Sequence, residues 1–134
     1  MLKVVIALVL AAHGIGHVLG ILQVLRVGNV DPAWDGRSWI IGSIVSPGVS
    51  EAIGVVLWTV AMAGFLALAG VVMGWMPSEW WPTLAVVASA ASIAGIVLFP
   101  DAFPTFSTIG ALIVDIVVLV VVLWSHWSPS DLAA

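Results

Sequence analysis

Charged residues are so sparse in this chain that they mark where its long apolar stretches stop. From Val4 to Leu25 there is no Asp, Glu, Lys or Arg, and three further stretches, residues 51–75, 81–99 and 107–127, are nearly as bare. Each is close to the ~20 residues that a helix needs to cross a bilayer. The apolar residues run continuously instead of alternating, which selects helix over strand. A segment in lipid must also satisfy its own backbone hydrogen bonds, and a helix does so unaided. The expectation is an all-α integral membrane protein, an antiparallel four-transmembrane-helix bundle forming one domain. Its spans are residues 4–26, 51–75, 81–99 and 107–127, with an interfacial connector over 28–48. Four crossings bring both termini to one side.

Within the spans, small and polar residues break the pattern. In span 1, His13 and His17 are four apart and stack on one helix face. Ala12, Gly16 and Gly20 form a small-residue stripe beside them, where a second helix is expected to approach. Ala63, Ala67, Gly70 and Gly74 offer the same in span 2, and Ala85, Ala88, Ser89, Ser92 and Gly95 make span 3 the inner helix. Span 4 is mostly Val, Ile and Leu and should face lipid, with Asp115 the exception.

The links carry most of the charge. Asp31-Pro32 has the form of a helix start, so a short helix over Ala33 to Ile41 is expected in the interface, its Trp34 and Trp39 at headgroup level. It serves either as a lid or as a plain connector. Ser46 or Ser50 caps span 2, with Glu51 in its first turn where the helix dipole favours an anion. Trp75, Trp80 and Trp81 read as an aromatic belt. Asp31, Asp35, Glu51 and Asp101 share the side opposite the termini, as an acidic mouth or as caps and solvated turn residues.

Composition narrows the function classes. The chain of 134 residues is 63% apolar and 7% charged, against roughly 25% charged in soluble domains, so a soluble fold has too little polar surface to cover it. Three Lys and Arg in total give nucleic-acid binding no electrostatic footing. Without cysteine there is no disulfide, thiolate metal site or thiol nucleophile. Lys3 before an apolar run has the form of a signal peptide, but the run continues beyond the usual length of such a core and is expected to be retained.

The candidate chemistry lies with His13, His17 and Asp115. An unpaired aspartate at the centre of a span costs about 2.5 to 3.5 kcal/mol on insertion scales, so Asp115 needs a proton or a partner. The expectation is a contact with His13 or His17; the alternative is a protonated Asp115 donating to a serine or carbonyl. The histidines admit four readings. With Asp115 they offer three nitrogen and oxygen donors to a metal with one position open. They can form a proton relay, since histidine titrates nearest neutrality. They suit haem poorly, because two residues on one helix cannot take opposite faces, and His126 lies too far along span 4 to help. Or they are structural and bond a hydroxyl or carbonyl. Gly14-Ile15-Gly16-His17-Val18-Leu19-Gly20 mimics a dinucleotide fingerprint, but the third glycine is one position late and no strand precedes it, so nucleotide binding is rejected.

His13-Gly14-x-x-His17-x-x-Gly20, Ser46-Pro47-Gly48, Trp80-Trp81 and Asp101-Ala102 together resemble a loose family of small four-helix bacterial membrane proteins of uncharacterised function. The resemblance implies the four-helix topology and a bacterial plasma membrane, and no activity. Small drug transporters of similar size carry a glutamate in the first span where this chain has histidines, so their mechanism is not carried over.

The leading expectation is therefore a multi-pass membrane protein that binds or translocates a proton, cation or small lipophilic molecule at His13, His17 and Asp115. Glu51 and Asp101 are secondary candidates at the entrance. One alternative is an accessory subunit of a larger complex. Another is an isomerase or hydrolase acting on a lipid-like substrate, with the histidines as acid and base. The expected partners are membrane lipid and either further copies of the chain or a larger membrane complex.

Overall fold

The computed structural model describes residues 1–29 and 33–133. Its chain is helical, with no strand among the described residues: α1 Leu2–Gly16, α2 Val18–Leu25, α3 Pro47–Met73, α4 Trp81–Leu98 and α5 Thr105–Leu123. Counting α1 and α2 as one rod, four helical segments are long and apolar enough to cross a membrane, the composition of a multi-pass membrane protein.

Span 1 is not one continuous helix. The backbone tightens at His17, whose N–H donates to Gly14 O at 3.1 Å, and the helix restarts at Val18. Arg26 then ends α2 in the left-handed region with φ 54°. α3 starts one turn earlier than expected. Ser46 is its cap, accepting a hydrogen bond from Val49 N at 3.4 Å, and Pro47 occupies the first turn. Ser50 is therefore inside the helix, fully buried, and Glu51 lies beyond the first turn. Gly74, at φ +79°, closes α3 in a conformation that costs a glycine nothing.

The helices pack in chain order, span 1 on α3, α3 on α4 and α4 on α5. Where span 1 faces α5 the bundle instead leaves a seam holding two cavities. The bulk of α5 is exposed along Ile109, Ile113, Ile116, Val117, Val120 and Leu123, as a lipid-facing span requires.

Of the expected stripe only Gly20 permits close helix approach, and it does so together with Gly14. A Cβ on Gly14 would lie 3.0 Å from Phe65 Cβ, and one on Gly20 would lie 2.7 Å from the Trp58 ring, so these two let span 1 settle on α3. Gly16 has no neighbour within 4 Å of that position and faces the seam, as does Ala12.

Residues 33–45 are turns, not the expected interfacial helix; the Asp31-Pro32 start lies outside the described residues. The reason is hydrogen bonding to the end of α4. The Ser38 hydroxyl donates to Leu98 O at 2.7 Å and accepts from the N–H groups of Ile40 and Ile41, pinning the segment to the end of α4. Trp34 inserts its ring beside Trp58 and Phe99, with centroids 5.6 and 5.4 Å away.

At the other end Trp81 leaves the expected belt. It is buried, its Nε1–H donates to Trp127 O at 3.0 Å, and its ring stacks edge-on against Trp127. Trp75 and Trp80 remain exposed.

Candidate functional site

The core falls into two apolar clusters. One, toward the termini, contains Leu10, Phe65, Leu68, Val72, Val118 and Val122; the other is built on Trp58, Phe99, Ala102 and Phe103. His13 and His17 touch one cluster each. The His13 ring meets Phe65 edge-on at 4.3 Å between centroids, and the His17 ring meets Phe103 at 6.3 Å. The polar groups thus form a thin layer about halfway along the bundle.

Asp115 is fully buried on α5 and both of its oxygens are occupied. Oδ1 lies 2.9 Å from His13 Nε2, and Oδ2 accepts from the Ser92 hydroxyl at 2.6 Å. An ionised carboxylate can only accept, so in that state Nε2 of His13 carries the hydrogen. The contact with His13 is thus present on one oxygen, while on the other the serine donates to Asp115, the reverse of the alternative in which a protonated Asp115 donates to a serine. This pair spans the seam between span 1 and α5.

Serine, aspartate and histidine occur here in an order unsuited to nucleophilic attack. A serine nucleophile needs the histidine next to it as base and the acid behind the histidine. Here Asp115 sits between Ser92 and His13, so nothing removes the Ser92 proton.

His17 takes no part in that pair. Its ring lies edge-on to His13 at 5.2 Å, it is only 3% exposed, and neither ring nitrogen has a hydrogen-bond partner. The three-ligand metal reading of His13, His17 and Asp115 does not fit this geometry. The carboxylate oxygens are committed to His13 and Ser92, His17 bonds neither residue, and no group of three or more metal-binding side chains converges among the described residues.

What His17 does face is a cavity of about 230 Å³. Span 1 contributes Ala12, His13, Gly16, His17 and Leu19; Ile96 and Phe103 close the back; Phe106, Ser107, Thr108, Gly110 and Ala111 of α5 form the opposite wall. Gly110, like Gly16, has nothing within 4 Å of an added Cβ, so a glycine on each wall leaves the space beside it open. Glycine inside a helix costs roughly 1 kcal/mol relative to alanine, and here that cost accompanies open volume.

Glu51 and Asp101 do not line this cavity. Glu51 lies 3.6 Å from the Arg26 guanidinium, under the connector, where a Cβ on Gly36 would come within 2.7 Å of its Oε1. Asp101 is exposed in the short turn of helix Pro100–Ala102. Asp35 is likewise exposed and accepts from Arg37 N. His126 is exposed at φ 52° and borders the second cavity, an apolar groove of about 760 Å³ lower in the same seam.

The cavity could not be read from the sequence, because the signal for it is the absence of side chains at Ala12, Gly16 and Gly110 together with the break at His17. In sequence Ala12 and Gly16 looked like helix-contact positions. Compared with protein-family models, curated proteins and solved structures, the chain finds no match, so its function has to be argued from this geometry alone.

Proposed function

We propose that this is a membrane protein that binds a small lipophilic molecule in the lateral cavity at His17. One observation carries the reading: a buried imidazole with two unpaired nitrogens lines a mostly apolar cavity of about 230 Å³, with His13, Ser107 and Thr108 as its other polar lining residues. A buried polar group without a partner costs about 1 to 3 kcal/mol, a cost that a bound ligand with a polar group removes.

Binding is favoured over passage of a cation or proton across the membrane. The carboxylate at this depth does not line the cavity and both its oxygens are occupied. Toward the termini the next layer is Ala7, Leu10, Leu68, Val118 and Val122, which offers no polar route. The motif resemblance supports a bacterial plasma membrane as the setting. A second reading, an accessory subunit, draws support from the groove of about 760 Å³, whose lining is mostly apolar.

The test uses the protein in phosphatidylcholine nanodiscs with nitrogen-15-labelled histidine. Octanoate, octanol and octyltrimethylammonium are titrated separately while the His17 imidazole signals, identified by their loss in His17→Phe, are followed. Saturable movement with any of the three, abolished by Gly16→Leu, is expected. No movement with all three overturns the binding reading.

A further inference from the structure

We infer that the ligand of the His17 cavity is a lipophilic carboxylic acid, bound as its carboxylate against a protonated His17 with its hydrocarbon body directed along the apolar wall toward lipid. This rests on the binding reading above and adds the chemistry of the ligand's head.

The argument counts donors and acceptors. The wall opposite His17 is the first turns of α5, a helix of 19 residues whose N-cap is Pro104 and which has no side-chain cap. The first intrahelical-type bond there is Thr108 N–H to Pro104 O, so the amides of Thr105, Phe106 and Ser107 find no partner within the helix. A helix start of this kind favours negative charge. Among the hydroxyls lining the cavity, Thr108 already donates to Pro104 O at 3.2 Å, leaving Ser107 as a free donor. His17 supplies the independent observation, being more than nine-tenths buried with both nitrogens unpaired. The surroundings are thus rich in donors, and the acid at this depth, Asp115, is committed elsewhere.

The rest of the lining selects the body of the ligand. Ala12, Leu19, Ile96, Phe103 and Ala111 are apolar, and a free inorganic anion would gain nothing from them. A cavity of about 230 Å³ has room for a carboxyl group and a short chain, since one water occupies ~30 Å³. Longer chains leave sideways between Gly16 and Gly110, where both walls are open.

Charge balance is kept within the pair. The acid arrives from the membrane as the neutral O–H form, and its proton passes to a ring nitrogen of His17. The product is a carboxylate beside an imidazolium, so the cavity takes up no net charge. The other titratable groups in reach are His13 on the same span and Asp115 on α5, already bonded to each other; Ile96 of α4 and Phe65 of α3 bring none.

The experiment titrates carboxyl-carbon-13-labelled octanoate, unlabelled octanol and acetate into the labelled protein in nanodiscs. Octanoate is expected to saturate, to give a carboxylate carbon signal and to produce two ring N–H signals for His17. Its affinity should fall about tenfold or more in His17→Phe, the loss of a charge-assisted bond. Gly110→Leu, on the opposite wall, should abolish it while the chain remains folded by circular dichroism. Octanol saturating where octanoate does not would overturn the acid while leaving the binding reading intact. Acetate binding as well as octanoate would replace the lipophilic acid with a small anion. An octanoate carbon signal of the neutral acid would overturn the ion pair. Failure of both eight-carbon probes would overturn the acid.

Discussion

His13 Nε2 and Asp115 Oδ1 lie 2.9 Å apart across the seam between the first and last spans, a seam that the flanking cavities otherwise hold open. In lipid the polar partners of such a pair have few alternatives, yet interhelical hydrogen bonds in membranes measure only about 0.6 to 2 kcal/mol. The double-mutant cycle of His13→Leu and Asp115→Leu should give a coupling energy in that range. Unfolding in mixed micelles measures it, and additive single effects would show that the contact carries no energy.

The glycines of span 1 should separate into two kinds. Gly14→Ala and Gly20→Ala push a methyl group against Phe65 and Trp58 and should cost about 1 to 3 kcal/mol. Gly16→Ala enters open space and should be neutral or gain up to ~1 kcal/mol from helix propensity. Thermal unfolding of the three variants compares them directly, and an equal loss at all three would contradict the open face.

Two side chains tie the connector to the end of α4, the Ser38 hydroxyl and Trp39, whose Nε1–H donates to Val97 O at 2.6 Å. Ser38→Ala removes the donor to Leu98 O and the acceptor for Ile40 and Ile41. Amide exchange over residues 38–45 should accelerate by about tenfold, the equivalent of 1 to 2 kcal/mol, while the four spans keep their protection. Unchanged exchange would mean that the Trp39 bond to Val97 O and the Trp34 ring hold the segment without Ser38.

Absence of cysteine makes topology easy to map. Single cysteines at Lys3, Glu79 and Ser128 should react with an impermeant maleimide from one side of the membrane, and those at Asp35 and Asp101 from the other. Any exchange of sides between these two sets would contradict four crossings.

The spans were legible because charge is expensive in lipid: the gaps between Lys3 and Arg26, and between Glu51 and Glu79, outline helices without further information. Asp115 also announced its need for a partner. Which partner took which oxygen depended on the rotation of α4, which brings Ser92 rather than Ser89 to it, and residue types do not specify that angle. The misread connector has a similar cause. Asp31-Pro32 is a local helix signal, but Ser38 gains more by bonding the end of α4, sixty residues away in sequence. Trp81 looked interfacial for the same reason, since nothing near it in the chain reveals that Trp127 returns to cover it.

That last contact constrains traffic through the larger groove. The segment carrying Trp127, Asp131 and Leu132 floors the groove where it would otherwise open to water, and Trp81 fastens it through a ring and a carbonyl. Anything entering the groove from that end would first have to displace this segment. Among the described residues no ion pair holds this segment in place, so raising the salt concentration should leave its contact with Trp81 intact.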